Sequence, residues 1–180
     1  KILDKYPDWK SNVFGDEPRE KLFYKHKNLK LMGFKQHEEV LNNFKRSSIT
    51  VVCSRWQEPF GRTSLEASSR GCAVIISNRG GLPETVTNAI ILKKLNHKSL
   101  YKALINLIEN DKKRLKLQKS SFANFYLTNK FVCRQIDYYR SLIIQNNIEN
   151  INTKKTKFKI LNITNFNERN NGRLFYNTGR

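Results

Sequence analysis

The 180-residue chain carries 34 Lys and Arg against 15 Asp and Glu, a formal charge of +19 at pH 7. Its 38% hydrophobic content, with 11 Phe, 7 Tyr and 2 Trp, is adequate for one core of ordinary domain size. No apolar run approaches the roughly 20 residues that a spanning helix needs, and the first residues, Lys-Ile-Leu-Asp-Lys-Tyr-Pro, contain no apolar secretory core.

In chain order, residues 1–9 read as the end of a helix that Pro7 helps to terminate, and 11–15 as a short strand. A chain that opens inside a helical pattern without an initiator Met is expected to be a piece of a longer protein. Residues 20–27 form a charged helical stretch, and 28–34 a strand with Leu29, Leu31 and Phe34 apolar. Val40, Leu41 and Phe44 share one face of a helix over 36–46. Ile49-Thr50-Val51-Val52-Cys53 is short and β-branched enough to be a buried strand.

A loop and a helix that Gly71 can end follow, and then a second buried strand at 73–77. Pro83 starts a short helix, and 89–92 is the last strand. Helices are expected at 98–110, 111–129 and 132–144, the last with Ile136, Tyr139, Leu142 and Ile143 on one side. Alternation of this kind predicts an α/β, Rossmann-like parallel sheet with helices on both faces. Residues 1–145 form this domain. Residues 146–156, rich in Asn, Ile and Lys, read as a linker, and 157–180 open a further domain or a disordered basic tail.

The chemistry concentrates in residues 58–67, Glu-Pro-Phe-Gly-Arg-Thr-Ser-Leu-Glu-Ala. A strand, a loop and a helix start in that order leave free backbone N–H groups from about Gly61 to Thr63 at the mouth of a parallel sheet, where phosphates are held. Glu58 and Glu66, one on each side, can accept hydrogen bonds from hydroxyls. The ligand so described has a phosphate centre and a hydroxylated group at each end, as a nucleoside diphosphate sugar does. Pro59 biases Glu58 toward extended backbone, and Gly61 lets the main chain come close to a ligand.

Glu58 to Glu66, followed by Gly80-Gly81-Leu82-Pro83-Glu84, resembles the donor-binding half of glycosyltransferase family 4, which has the two-domain GT-B fold. Val13-Phe14-Gly15-Asp16-Glu17-Pro18 and Leu31-Met32-Gly33-Phe34 resemble two further family segments, and all four occur in the family's order across residues 10–145. The resemblance implies a retaining hexosyltransferase that uses a nucleotide-sugar donor and no metal or other cofactor. It gives Glu58 the catalytic position and the donor-sugar hydroxyls, Glu66 the ribose hydroxyls, and the backbone of Phe60, Gly61, Arg62 and Thr63 the diphosphate. Gly80 and Gly81 are donor-side candidates as readily as turn glycines; Arg79 is a phosphate contact or surface charge, and Glu84 a helix cap. The family's phosphate-clamping basic pair and its acceptor site precede Lys1, so a missing N-terminal domain is an expected partner and the chain alone is expected to be inactive.

Two alternatives stay open on the residues: a GT-B-type nucleotide-sugar epimerase, and a non-enzymatic basic module for nucleic acid or anionic lipid. Lys and Arg are spread along the chain without a dense stripe, and the aromatics fall at positions read as buried. Nucleic acid is therefore not expected, whereas an anionic membrane surface is a second candidate partner. Cys53, Cys72 and Cys133 are odd in number and in no metal-ligand pattern, which points to small buried hydrophobes in a reducing cytoplasm. His26, His37 and His97 read as surface residues.

Overall fold

A computed structural model describes residues 1–15 and 24–154, in a unit Lys1–Phe131 and a second that begins at Val132. The elements run α1 (Ile2–Lys5), β1 (Ser11–Phe14), β2 (Leu29–Gly33), α2 (His37–Arg46), β3 (Ile49–Val52), α3 (Arg62–Ser69), β4 (Ala73–Ser77), a 3-10 turn (Leu82–Thr85), β5 (Ala89–Leu92), α4 (His97–Glu109), α5 (Asp111–Ala123) and α6 (Asn129–Lys154). β1 and β2 make a two-stranded parallel sheet, and β3, β4 and β5 lie in that order in a three-stranded parallel sheet.

The central strand explains the layering. Every residue of β4 is buried, as a strand covered on both faces must be. Because successive side chains point to opposite faces, Val74 and Ile76 join Phe44 of α2, Ala67 of α3 and Leu82. Ala73 and Ile75 join Leu92, with Ala103 and Leu107 of α4, and Leu117 of α5 packs on that cluster. Helices therefore cover both faces, and the expected Rossmann-like α/β architecture is the observed one.

Local chemistry sets the helix ends. Asn96 and Asn110 accept the N–H of Ser99 and Lys113 at 2.8 and 2.9 Å, capping α4 and α5. At the end of α3, Gly71 donates to the Ser68 carbonyl and Cys72 to the Ala67 carbonyl, the paired bonds of a Schellman stop. Arg114 fastens the α4–α5 corner: its guanidinium donates to the Leu107 carbonyl at 2.9 Å, pairs with Asp111 at 2.8 Å and stacks over Trp9.

Several expectations are corrected. Residues 24 and 25 are irregular, His26 makes an isolated bridge to Leu29 and 27–28 form a turn, so no helix is found over 24–27; the rest of the expected helix, 20–23, lies outside the described residues. The helix expected over 111–129 stops at Ala123. Thr128 then accepts the Phe131 N–H at 3.2 Å and starts a new helix. That helix runs to Lys154, so residues 146–154 of the expected linker are helical; no Gly or Pro falls between Asn129 and Lys154 to break it. The further domain or tail at 157–180 lies outside the described residues.

Side-chain exposure also differs from the pattern reading. Tyr24, Phe34, Trp56, Phe60, Phe122, Tyr138 and Tyr139 are exposed, so buried aromatics no longer argue against a basic binding module. Cys72 is buried and Cys53 half-buried, but Cys133 is exposed. His26 is half-buried, paired with Asp4 at 3.0 Å while its other ring nitrogen accepts the Asn28 N–H. On α6, Val132, Ile136, Tyr139 and Ile143, at helical spacing, are all exposed. Among the described residues no helix is long and apolar enough to cross a membrane.

Candidate functional site

β3 and β4 are parallel neighbours, paired from Ile49 with Ala73 to Val52 with Ile76, so the loops leaving their C-terminal ends run side by side. Three hydrogen bonds stitch them together. Ser77 Oγ donates to the Ser54 carbonyl at 2.9 Å, the Gly80 N–H to Gln57 Oε1 at 2.7 Å, and the Gly81 N–H to the Glu58 carbonyl at 2.7 Å. The edge formed by the C-terminal ends of parallel strands is where ligands of open α/β sheets bind.

The two glycines explain the close approach. A Cβ on Gly80 would stand 2.2 Å from the Glu58 carbonyl oxygen and 2.6 Å from the Glu58 nitrogen, and Gly80 has φ +52°, a conformation that side chains disfavour. A Cβ on Gly81 would stand 2.7 Å from the Pro59 carbonyl oxygen. Both glycines thus abut the main chain of residues 58–60 and fix where Glu58 begins, a backbone role that the loop pattern by itself leaves open.

Gly61, with φ +86° and ψ +53°, is the residue before α3. Its absent side chain leaves room for Leu82, whose Cδ2 would lie 2.6 Å from a Cβ there. The first hydrogen bond within α3 runs from the Leu65 N–H to the Gly61 carbonyl, so the N–H groups of Arg62, Thr63 and Ser64 have no partner inside the helix. Beneath this turn Ser64 Oγ donates to the Gly61 carbonyl at 2.7 Å and meets Thr85 Oγ1 at 2.7 Å, and Thr85 donates to the Leu82 carbonyl at 2.8 Å. Ser64 and Thr85 are both buried, and they lock the helix start onto the 3-10 turn.

The two carboxylates have different surroundings. Glu58 is half-buried, and among the described residues its carboxylate has no hydrogen-bond or ion-pair partner. Glu66 is only 18% exposed, and its Oε1 takes both the His37 Nε2 at 2.9 Å and the Arg62 Nη2 at 3.4 Å. Arg62 and Thr63 are exposed in the first turn, and Phe60 is exposed beside them. Arg79 and Glu84 are exposed, Glu84 in the 3-10 turn. Cys53, at the root of the same loop, has its thiol pushed above the usual range by burial.

Sequence reasoning missed Gln57, Ser64, Thr85 and His37. The first three are ordinary polar residues whose partners lie 21 to 23 positions away or in the adjacent turn. His37 reaches Glu66 across 29 positions, and no spacing rule marks it. A groove on α4 lined by Tyr101, Lys102, Ile105, Asn106, Glu109 and Asn110 shares no residue with the two loops. Among the described residues no group of three or more His, Cys, Asp or Glu could hold a metal ion.

Comparison with known proteins bears on the family and the fold. Residues 1–123 match the family model described as "Glycosyl transferases group 1". Spore coat protein SA of Bacillus subtilis is 34% identical over 92 residues, covering 49% of this chain and 24% of that protein. The structure of Anabaena HepE in complex with UDP-glucose superposes with TM-score 0.54 at 22% identity, covering 64% of this chain and 32% of that one. Sucrose-phosphate synthase from Thermosynechococcus elongatus gives TM-score 0.55 at 22% identity, with 66% and 31% covered. A glycosyltransferase from Rickettsia africae gives 0.53 at 21%, with 65% and 32% covered. The matched part of this chain spans about a quarter to a third of the length of these proteins, and the fold it shares with the solved structures is the Rossmann-like half of GT-B glycosyltransferases.

Proposed function

This chain belongs to the glycosyl transferases group 1 family, and from that premise we propose that it is the donor-binding half of a retaining hexosyltransferase of family 4. The observation that carries the reading is the stitched loop pair. It holds the main chain of Glu58 against Gly80 and Gly81, just before a helix start whose first N–H groups have no partner inside α3, and that supports a donor-binding role for this loop. In this reading the diphosphate sits at the start of α3, where three N–H groups and the Arg62 guanidinium meet the charge that grows as the leaving group departs. Glu58 bonds the donor-sugar hydroxyls and is the catalytic carboxylate, and Glu66 bonds the ribose. Phe60, Gly61, Arg62 and Thr63 supply the loop that wraps the phosphates.

Gly80 and Gly81 act at one remove, by holding the main chain of Glu58. No metal is called for, because amide dipoles and basic side chains carry the developing charge. A uridine nucleotide is the first donor to try, since HepE was crystallised with UDP-glucose and with UDP. In this reading the acceptor site belongs to the N-terminal half of a two-domain GT-B enzyme. The net charge of +19 suits an acceptor held at an anionic membrane surface.

The test is a thermal-shift panel of nucleotides and nucleotide sugars on the full-length protein, since stabilisation grows with ligand concentration over Kd. One donor should stand out, and Glu58→Ala should weaken that nucleotide sugar far more than the corresponding nucleoside diphosphate. Equal stabilisation by every nucleotide, or loss of both ligands alike in Glu58→Ala, overturns the assignment.

A further inference from the structure

We propose that His37 is a positioning residue that presents Glu66 to a vicinal diol, an inference that rests on the donor-binding reading of Glu66. His37 is the first residue of α2, and its Nε2 meets Glu66 Oε1 at 2.9 Å. Arg62 Nη2 approaches the same oxygen at 3.4 Å, and both contacts are to Oε1 rather than Oε2. A carboxylate has about four acceptor sites, two on each oxygen. With Oε1 taken by the protein, Oε2 is the atom left to accept from hydroxyls, and its direction is fixed by what holds Oε1.

The two holders are unequal. Arg62 lies one turn before Glu66 on the same helix, is 73% exposed and stands at the edge of hydrogen-bond range. In the donor-bound state its guanidinium has a stronger partner in the diphosphate. His37 comes from a different helix, has a short side chain with two torsions, and makes the closer contact. When phosphate draws Arg62 away, His37 alone keeps Glu66 in place. The rotamer freedom that Glu66 would otherwise lose on binding is thus lost beforehand.

The experiment measures binding of UDP and of 2′,3′-dideoxy-UDP to the full-length protein by calorimetry. His37→Ala should weaken UDP about tenfold, the scale of one hydrogen bond to a charged group, and leave dideoxy-UDP within about twofold. His37→Gln, which keeps a donor, should return UDP to within about threefold of the parent. In a Glu66→Ala background His37→Ala should cost nothing more. His37→Asn, whose shorter amide does not reach Oε1, carries the same expectation as His37→Ala and serves if that variant folds poorly. Equal loss for both ligands, or no loss for UDP, overturns the role of His37. Unchanged UDP affinity in Glu66→Ala instead overturns the ribose reading of Glu66 itself, and the positioning role falls with it.

Discussion

Replacing Gly80 with Ala separates two costs that the structure lets one calculate apart. The torsional cost comes from φ +52°, which for a side-chain-bearing residue amounts to about 1–2 kcal/mol. The contact cost comes from a Cβ 2.2, 2.6 and 2.9 Å from the Glu58 oxygen, nitrogen and carbonyl carbon, all main chain, so no rotamer change relieves it. Overpacking of this kind costs about 1–3 kcal/mol. Spreading the two loops further strains the bonds from Gly80 to Gln57 and from Gly81 to Glu58, at about 1 kcal/mol each. The total is roughly 4–7 kcal/mol. Gly33 is the matched control, because it has φ +62° and nothing within 4 Å of a Cβ, so Gly33→Ala bears the torsional cost alone. Urea denaturation should give Gly33→Ala a loss of about 1–2 kcal/mol and Gly80→Ala about 3–5 kcal/mol more. Nucleotide-sugar affinity should fall only in Gly80→Ala. If the two variants agree within about 1 kcal/mol and bind the donor equally, the proposed clamp on Glu58 is wrong.

Ser64→Ala removes a buried hydroxyl that contacts both the Gly61 carbonyl and Thr85, and should destabilise by about 1–3 kcal/mol in chemical denaturation. A loss smaller than that of Ser141→Ala, at an exposed position on α6, would show that the network carries no energy. Ile75→Ala, at the centre of the sheet and fully buried, should cost about 2–5 kcal/mol by the same measurement. The thiols should react with an aromatic disulfide reagent in the order Cys133, Cys53, Cys72, following exposed, half-buried and buried positions. Burial also raises the Cys72 thiol above its value in the unfolded chain. The unfolded chain therefore loses that proton first as pH rises, and stability declines from about pH 9 upward. Cys72→Ala should flatten this alkaline decline, and an unchanged slope would rule out Cys72 as its source.

Much of the fold follows from residues close together in the chain. The β-branched runs at 49–53 and 73–77, the periodic apolar faces at 36–46 and 98–110, and the glycine that ends α3 are local patterns. Local patterns bias local backbone, and the observed elements lie where these patterns put them. The strand–loop–helix order alone also indicated that amides open toward the C-terminal edge of a parallel sheet. Its weaker predictions were those in which sequence and environment compete. The polar, Asn-rich continuation of α6 carried no signal against helix other than composition, and the aromatics read as buried proved to be outward-facing because the described core closes without them.

Tertiary structure decided the rest of the candidate site. Nothing in Gly80-Gly81 distinguishes a ligand-facing turn from a backbone-packing one until β3 and β4 are paired and their loops brought to bonding distance. Nor does anything near His37 point to Glu66, because their meeting depends on how α2 and α3 settle over the same face of the sheet. Which residues can do chemistry is written in their types and order. Which of them touch is set by strand register and helix packing, and those are properties of the whole folded chain.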